Sequence, residues 1–283
     1  MEENWSSHKS ANIIRLRKGF GCECCYSKLG VVNQHMQSNT PDLERTMLRM
    51  GSVAFIAGIV ITIVSTMFHA SSEDLTNHPV VFAVYAESDL WIAAHIGQFA
   101  GVMLVFAGGF VALFRLLVGS ESSAASALAW LGFAVTIMAA STFAVLQAVD
   151  GIALKRAVDS WYNTSTTTAS SAAIEEKAIA FRVAEGIRWI EIGINSINRI
   201  IQGAVAIIFG VAIAKSALLS RWIGGVGIFA GVATVIAGVG VAYVGFAPLP
   251  IVGDMATITT FAWVVILGIF MWRKTRVNKI ISR

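Results

Sequence analysis

Six runs of about twenty predominantly apolar residues alternate with shorter polar stretches along the chain, at about 46–68, 91–117, 126–149, 192–218, 222–244 and 255–271. At 1.5 Å per residue, each is long enough as a helix to reach across a hydrocarbon core of about 30 Å. The pattern predicts an all-α fold, a polytopic bundle of six transmembrane helices over residues 45–273. A mostly disordered basic tail is expected at 1–44 and a short basic one at 274–283. Between the third and fourth spans, residues 150–181 read as the longest external segment, with a loop over the Ser/Thr run Asn163 to Ser171. Trp91 is expected at the headgroup level, after a short amphipathic stretch that begins near Pro79 and lies along the interface.

One helical stretch breaks the apolar uniformity. In Glu185 to Gln202, Glu185, Arg188, Glu191, Asn195, Asn198, Arg199 and Gln202 fall within an arc of roughly 140° at 100° per residue. Ile190, Ile194, Ile197 and Ile201 lie opposite. The polar face runs into the apolar segment GAVAIIFGVAIA, so its lower part is at membrane depth and must meet protein or trapped water. Glu185 to Glu191 is expected to be an interfacial ion-pair segment, and Arg199 the deepest charge, with no partner three or four residues away.

Composition agrees with this reading. Hydrophobic residues make up 56% and charged residues 13% of the chain, against about 25% charged in soluble domains. The net charge of +4 does not call for nucleic acid, because the basic residues flank the spans. Fifteen of the 21 Lys and Arg fall on one side if both termini are cytoplasmic, the orientation that the positive-inside rule predicts for six spans. The three cysteines, Cys22, Cys24 and Cys25, all precede the first span, so neither a disulfide nor a thiolate-held cofactor is expected within the membrane.

With that topology the outer halves of the second, third and fourth helices carry His95 and Gln98, then Gln147 and Asp150, then Arg188, Glu191, Asn195, Asn198, Arg199 and Gln202. Such groups are costly against lipid, about 2.5–3.5 kcal/mol for a charge near mid-membrane, so they should face one another across an outward-open pocket. His69 and His95 flank the first external loop and suggest metal or haem, but one sits at a helix end and one inside the next helix, a placement that does not pair them across a haem. A metal or acid–base centre of His95, Asp150 and Glu191 is a second option. No HExxH, GxSxG, Gly-rich phosphate loop or paired CxxC occurs, and no cofactor is expected. Gly97, Gly101 and Gly108 in the second helix, and the glycines of the fifth, are packing stripes that also offer faces for a homo-oligomer.

The stretches WIAAHIGQFAG, LQAVDGIALKRAVDSW, AFRVAEGIRWIEIG and RWIGGVG resemble an uncharacterised family of bacterial six-helix integral membrane proteins of the domain-of-unknown-function kind. The resemblance implies a bacterial inner-membrane protein and brings no activity with it. Three functions stay open. The first is binding of a small polar or anionic ligand or ion for transport or sensing. The second is a membrane-embedded enzyme or metal-binding protein, and the third a structural or accessory subunit whose polar seam only packs helices.

Overall fold

A computed structural model describes residues 23–69, 77–164, 170–246 and 250–281. The start of the basic tail, including Cys22, lies outside the described residues, as do most of the Ser/Thr run and Pro248. The described residues form α1 (Glu23–Thr66), α2 (His78–Glu87), α3 (Trp91–Met103), α4 (Val111–Val118), α5 (Ser123–Ala148), α6 (Lys155–Asn163), α7 (Ser171–Lys215), α8 (Arg221–Val244) and α9 (Pro250–Ile281). A π-helical turn, Leu104–Phe110, joins α3 to α4, and a second, Val149–Leu154, joins α5 to α6. The chain divides into units Met1–Thr46 and Met47–Arg283, and the bundle is the second. The expected tail differs in part, since the backbone is helical from Glu23.

Among the described residues, six helices are long and apolar enough to cross a membrane: Asp42–Thr66, Trp91–Val118, Ser123–Asn163, Ser171–Lys215, Arg221–Val244 and Val252–Thr275. The protein is an all-α, multi-pass membrane protein. Capping fixes two of the starts: the Ala125 N–H donates to Ser122 Oγ and the Ala173 N–H to Ser170 Oγ, each at 3.3 Å. Gly245 ends α8 at φ +66, a value that L side chains rarely adopt.

Successive spans are neighbours. α4 packs on α5, α5 on α7, α7 on α8 and α8 on α9. Gly268 of α9 lies against Ser52, Phe55 and Ile56 of α1, and α1 meets α3 at Gly58 and Gly101, which closes the ring. Two of these seams are backbone to backbone. A Cβ built on Gly203 would stand 2.6 Å from the Gly231 carbonyl, one on Gly231 2.5 Å from that of Gly203, and one on Gly210 2.7 Å from that of Gly224. On the α1 side, a Cβ at Gly58 would meet the Gly101 carbonyl at 2.5 Å, and one at Gly108 the Ala54 Cβ at 2.5 Å. The small-residue stripes are thus occupied within the chain. Gly231→Val should force α7 and α8 apart at a backbone contact that cannot yield, at a cost of about 1–3 kcal/mol. The midpoint of unfolding in detergent should fall accordingly, whereas Gly225→Val, with open space around its Cβ position, should leave it in place.

Inside the ring, Phe110 sits 5.2 Å, ring to ring, from both Phe55 and Phe209 and 6.0 Å from Trp263. The four rings come from α1, the first π-turn, α7 and α9, and they fill the half of the interior towards Arg115 and Lys215. A second apolar cluster of Val81, Phe82, Tyr85, Trp91, Leu154, Val158 and Ala184 forms where α2 folds against α6 and α7 at the other end.

Two expectations are corrected at that end. The third span does not stop at Val149, because the π-turn absorbs an extra residue and the helix continues to Asn163. Trp91 is not a headgroup anchor: it is fully buried, and its indole N–H donates to the Asp150 carbonyl at 3.2 Å. The Lys155 ammonium donates to the Ala86 carbonyl at 2.9 Å and to Asp159 at 2.6 Å, tying α6 to the end of α2.

Candidate functional site

A cavity of about 370 Å³ occupies the polar end of the ring. Its walls come from the C-terminal end of α1, the second half of α3, the end of α5 and the π-turn that follows it, the middle of α7, and parts of α2, α8 and α9. Nine of the ten residues singled out from the sequence line it, and the tenth, His95, bonds to one of the nine, so these polar groups share one enclosure. The helical period of α7 accounts for most of them: Glu191, Asn195, Asn198, Arg199 and Gln202 descend one face into the cavity, while Ile190 and Ile197 point away, 56% and 53% exposed, as a lipid-facing stripe would be.

At the upper end of that face, Arg188 donates to Glu191 at 2.8 Å, and each residue is 2% exposed. The ion pair expected from the spacing is present, but it is covered by protein instead of lying open at the surface. The folded-back α2 and the segment after α8 cover it, with the guanidinium carbon 5.3 Å from the Tyr85 ring centre and 4.8 Å from that of Phe246. Glu185 does lie nearer the surface, taking a 2.6 Å bond from Arg182.

Deeper in the membrane, the Arg199 Nε–H donates to Asn195 Oδ1 at 2.8 Å, so Arg199 does have a partner one turn back. That partner is neutral. Among the described residues no carboxylate lies within ion-pair reach of Arg199, which leaves a full positive charge on the cavity wall. Hydroxyls surround the same space. Thr234 and Thr260 bond across α8 and α9 at 3.2 Å, and Gln98 donates to Thr66 at 3.3 Å. The side-chain oxygens of Asn198 (Oδ1) and Gln147 (Oε1) are buried without a hydrogen-bond partner among the described residues, as is Asp150 Oδ1.

At the cavity's other edge, the His95 Nδ1 lies 2.8 Å from the Trp91 carbonyl and its Nε2 3.1 Å from Asp150 Oδ2. The His69 ring is 5.2 Å from that of His95, so the two histidines do come together. The ligand atoms of His69, His95 and Asp150 all lie within 4.8 Å of one another. The centre expected from the sequence, His95 with Asp150 and Glu191, is therefore changed in one member, because Glu191 is held by Arg188 and His69 stands where it was expected. A glycine makes this possible: a Cβ at Gly151 would fall 2.5 Å from His95 Cβ, and the π-turn places that glycine against the imidazole.

Sequence reasoning missed the walls given by Thr62, Thr66, Tyr85, Thr234, Thr257, Thr260 and Phe246. Thr62 and Thr66 are one turn apart, and Thr257 and Thr260 three residues apart, so two threonine pairs on apolar helices were a usable signal. Tyr85 and Phe246 carried none, since each depends on how a connecting segment folds back. No curated protein and no solved structure matches the chain. Residues 50–281 match the family model described as Domain of unknown function (DUF4386), which covers every span but the beginning of the first, and the protein therefore belongs to the DUF4386 family.

Proposed function

We propose that the protein binds a small anionic solute in the cavity, for transport or sensing, with Arg199 as the anchoring charge. The observation that carries this reading is the Arg199 guanidinium on the wall of a cavity of about 370 Å³, with a neutral amide as its partner and, among the described residues, no carboxylate in reach. A cation held in the membrane without a counter-charge is costly, about 2.5–3.5 kcal/mol near the bilayer centre, and an anionic ligand would recover much of that cost. The surrounding threonine hydroxyls, Gln98 and Gln202 offer orienting hydrogen bonds. The volume sits at the low end for small-molecule sites, which suits a carboxylate, a phosphate or a compact organic anion. The cavity lies where α1 ends and α3 begins, the end opposite Arg115, Lys215 and Arg221. By the positive-inside rule that end faces outward from a plasma membrane, the inner membrane in a bacterium, with both termini cytoplasmic.

The test is a panel of inorganic phosphate, sulfate, acetate and succinate added to the full chain in lipid nanodiscs, with the unfolding midpoint as readout. At an anion concentration 100 times Kd, binding should stabilise the protein by about 2.7 kcal/mol. Arg199→Leu should remove that stabilisation while leaving the ligand-free protein folded. Equal stabilisation of the Arg199→Leu protein, or failure of the variant to assemble at all, would overturn the reading in favour of a polar seam that only packs helices.

A further inference from the structure

We propose that His69, His95 and Asp150 form a binding site for a divalent transition-metal ion of the zinc class at the edge of the cavity. The argument begins with the His95 ring. Its Nδ1 lies 2.8 Å from the Trp91 carbonyl, which accepts only, so Nδ1 carries a proton. In the neutral imidazole the other nitrogen, Nε2, then presents a lone pair, and it points at a carboxylate oxygen, Asp150 Oδ2, at 3.1 Å. Two lone pairs facing each other at that distance need a positive centre between or beside them, either a second proton on the ring or a metal ion.

Three further observations favour the metal. A ring nitrogen that donates to a backbone carbonyl is the usual outer support of a metal-bound histidine, because it fixes the tautomer and aims the other nitrogen at the ion. The second oxygen of the same carboxylate, Asp150 Oδ1, is buried with no hydrogen-bond partner among the described residues, an acceptor left over after the His95 contact. A third ligand also converges: the ligand atoms of His69, His95 and Asp150 all lie within 4.8 Å of one another, although the three residues come from the end of α1, from α3 and from the π-turn after α5. A proton shared by His95 and Asp150 would explain the first contact alone.

Two imidazoles and one carboxylate are ligands that zinc accepts readily, and they number one fewer than its usual four. The fourth position would fall to water or to a ligand atom arriving through the cavity that His69 and Asp150 line. The proposal does not depend on the anion reading, since it uses none of the groups around Arg199 and is tested with metal alone.

The full chain, purified in detergent, stripped with chelator and dialysed, is titrated with Zn²⁺ by calorimetry and with Co²⁺ by visible absorption. One ion per chain is expected, together with the intensified Co²⁺ bands of a four-coordinate site. Asp150→Asn keeps the side chain's shape and removes the charged ligand, and His69→Ala truncates a half-buried residue beyond the last turn of α1. Each should weaken Zn²⁺ binding by roughly 100-fold or more, at or above the loss that follows removal of a supporting hydrogen bond. Absence of stoichiometric Zn²⁺ binding, or wild-type affinity in a folded His69→Ala protein, would overturn the site and leave a protonated His95–Asp150 pair.

Discussion

Glu191→Leu is expected to destabilise the protein by about 3–5 kcal/mol, because it removes the carboxylate to which the Arg188 guanidinium donates, in a place that is 2% exposed. A guanidinium cannot shed its proton, and the Tyr85 and Phe246 rings that cover it shield the charge without neutralising it. The converse change, Arg188→Leu, leaves a carboxyl that a proton can neutralise, and should cost less. The double variant, Arg188→Leu with Glu191→Leu, should recover a large part of the loss, since paired buried charges contribute little beyond an apolar pair of similar volume. Thermal or denaturant unfolding of all three in the same detergent checks the order. Equal losses in the two single variants, with no recovery in the double, would mean that the pair's other contacts matter more than its charge balance.

Trp263→Ala is the second large effect, about 3 kcal/mol. Trp263 is fully buried, its indole N–H donates to the Ile223 carbonyl at 2.9 Å, and its ring fills the space that Gly227 leaves on α8. In a soluble core the loss of such a side chain costs about 3–5 kcal/mol. Separated helices in a bilayer still have apolar surroundings, so the transfer part is smaller and the cost comes from the vacated volume and its lost dispersion contacts. The low end of the range is therefore expected. Trp263→Phe should lie between the two, and a loss below 1 kcal/mol for Trp263→Ala would show that the neighbouring rings collapse into the gap.

The helices and the polar face of α7 were legible because both are local. A run of about twenty apolar residues has few alternatives to a membrane helix, and the separation of Asn195, Asn198, Arg199 and Gln202 from Ile190 and Ile197 is written in a period of 3.6. What α7 faces was harder. Convergence of Gln98, Gln147 and Asp150 onto it followed from topology and the cost of polar groups in lipid, without any contact being visible in the sequence. His69 was suggested with His95 by its place beside the first external loop, but its placement was not legible: the azimuth of a residue just beyond a helix end is set by the packing of α1 on α3, where Gly58 and Gly101 meet backbone to backbone. The Arg188–Glu191 pair was legible in its spacing of three, but its burial was not, because ordinary surface pairing leaves the same trace. The π-turn at Val149–Leu154 leaves no periodic trace, yet it decides that Asp150 and Gly151 both meet His95 and Trp91.

The glycine seams divide the ring mechanically. α1 with α3, and α7 with α8, are pairs in which one backbone rests on another through Gly58 and Gly101, or through Gly203, Gly210, Gly224 and Gly231. A gap of even half an ångström in such a seam forfeits close contact along a whole helix, since no side chain can swing in to follow it. The joints made by α5 and α9 are different, being built from side chains that can exchange rotamers while staying in contact. The bundle is thus two stiff planks joined by two compliant ones, and the polar cavity lies in the space between the planks.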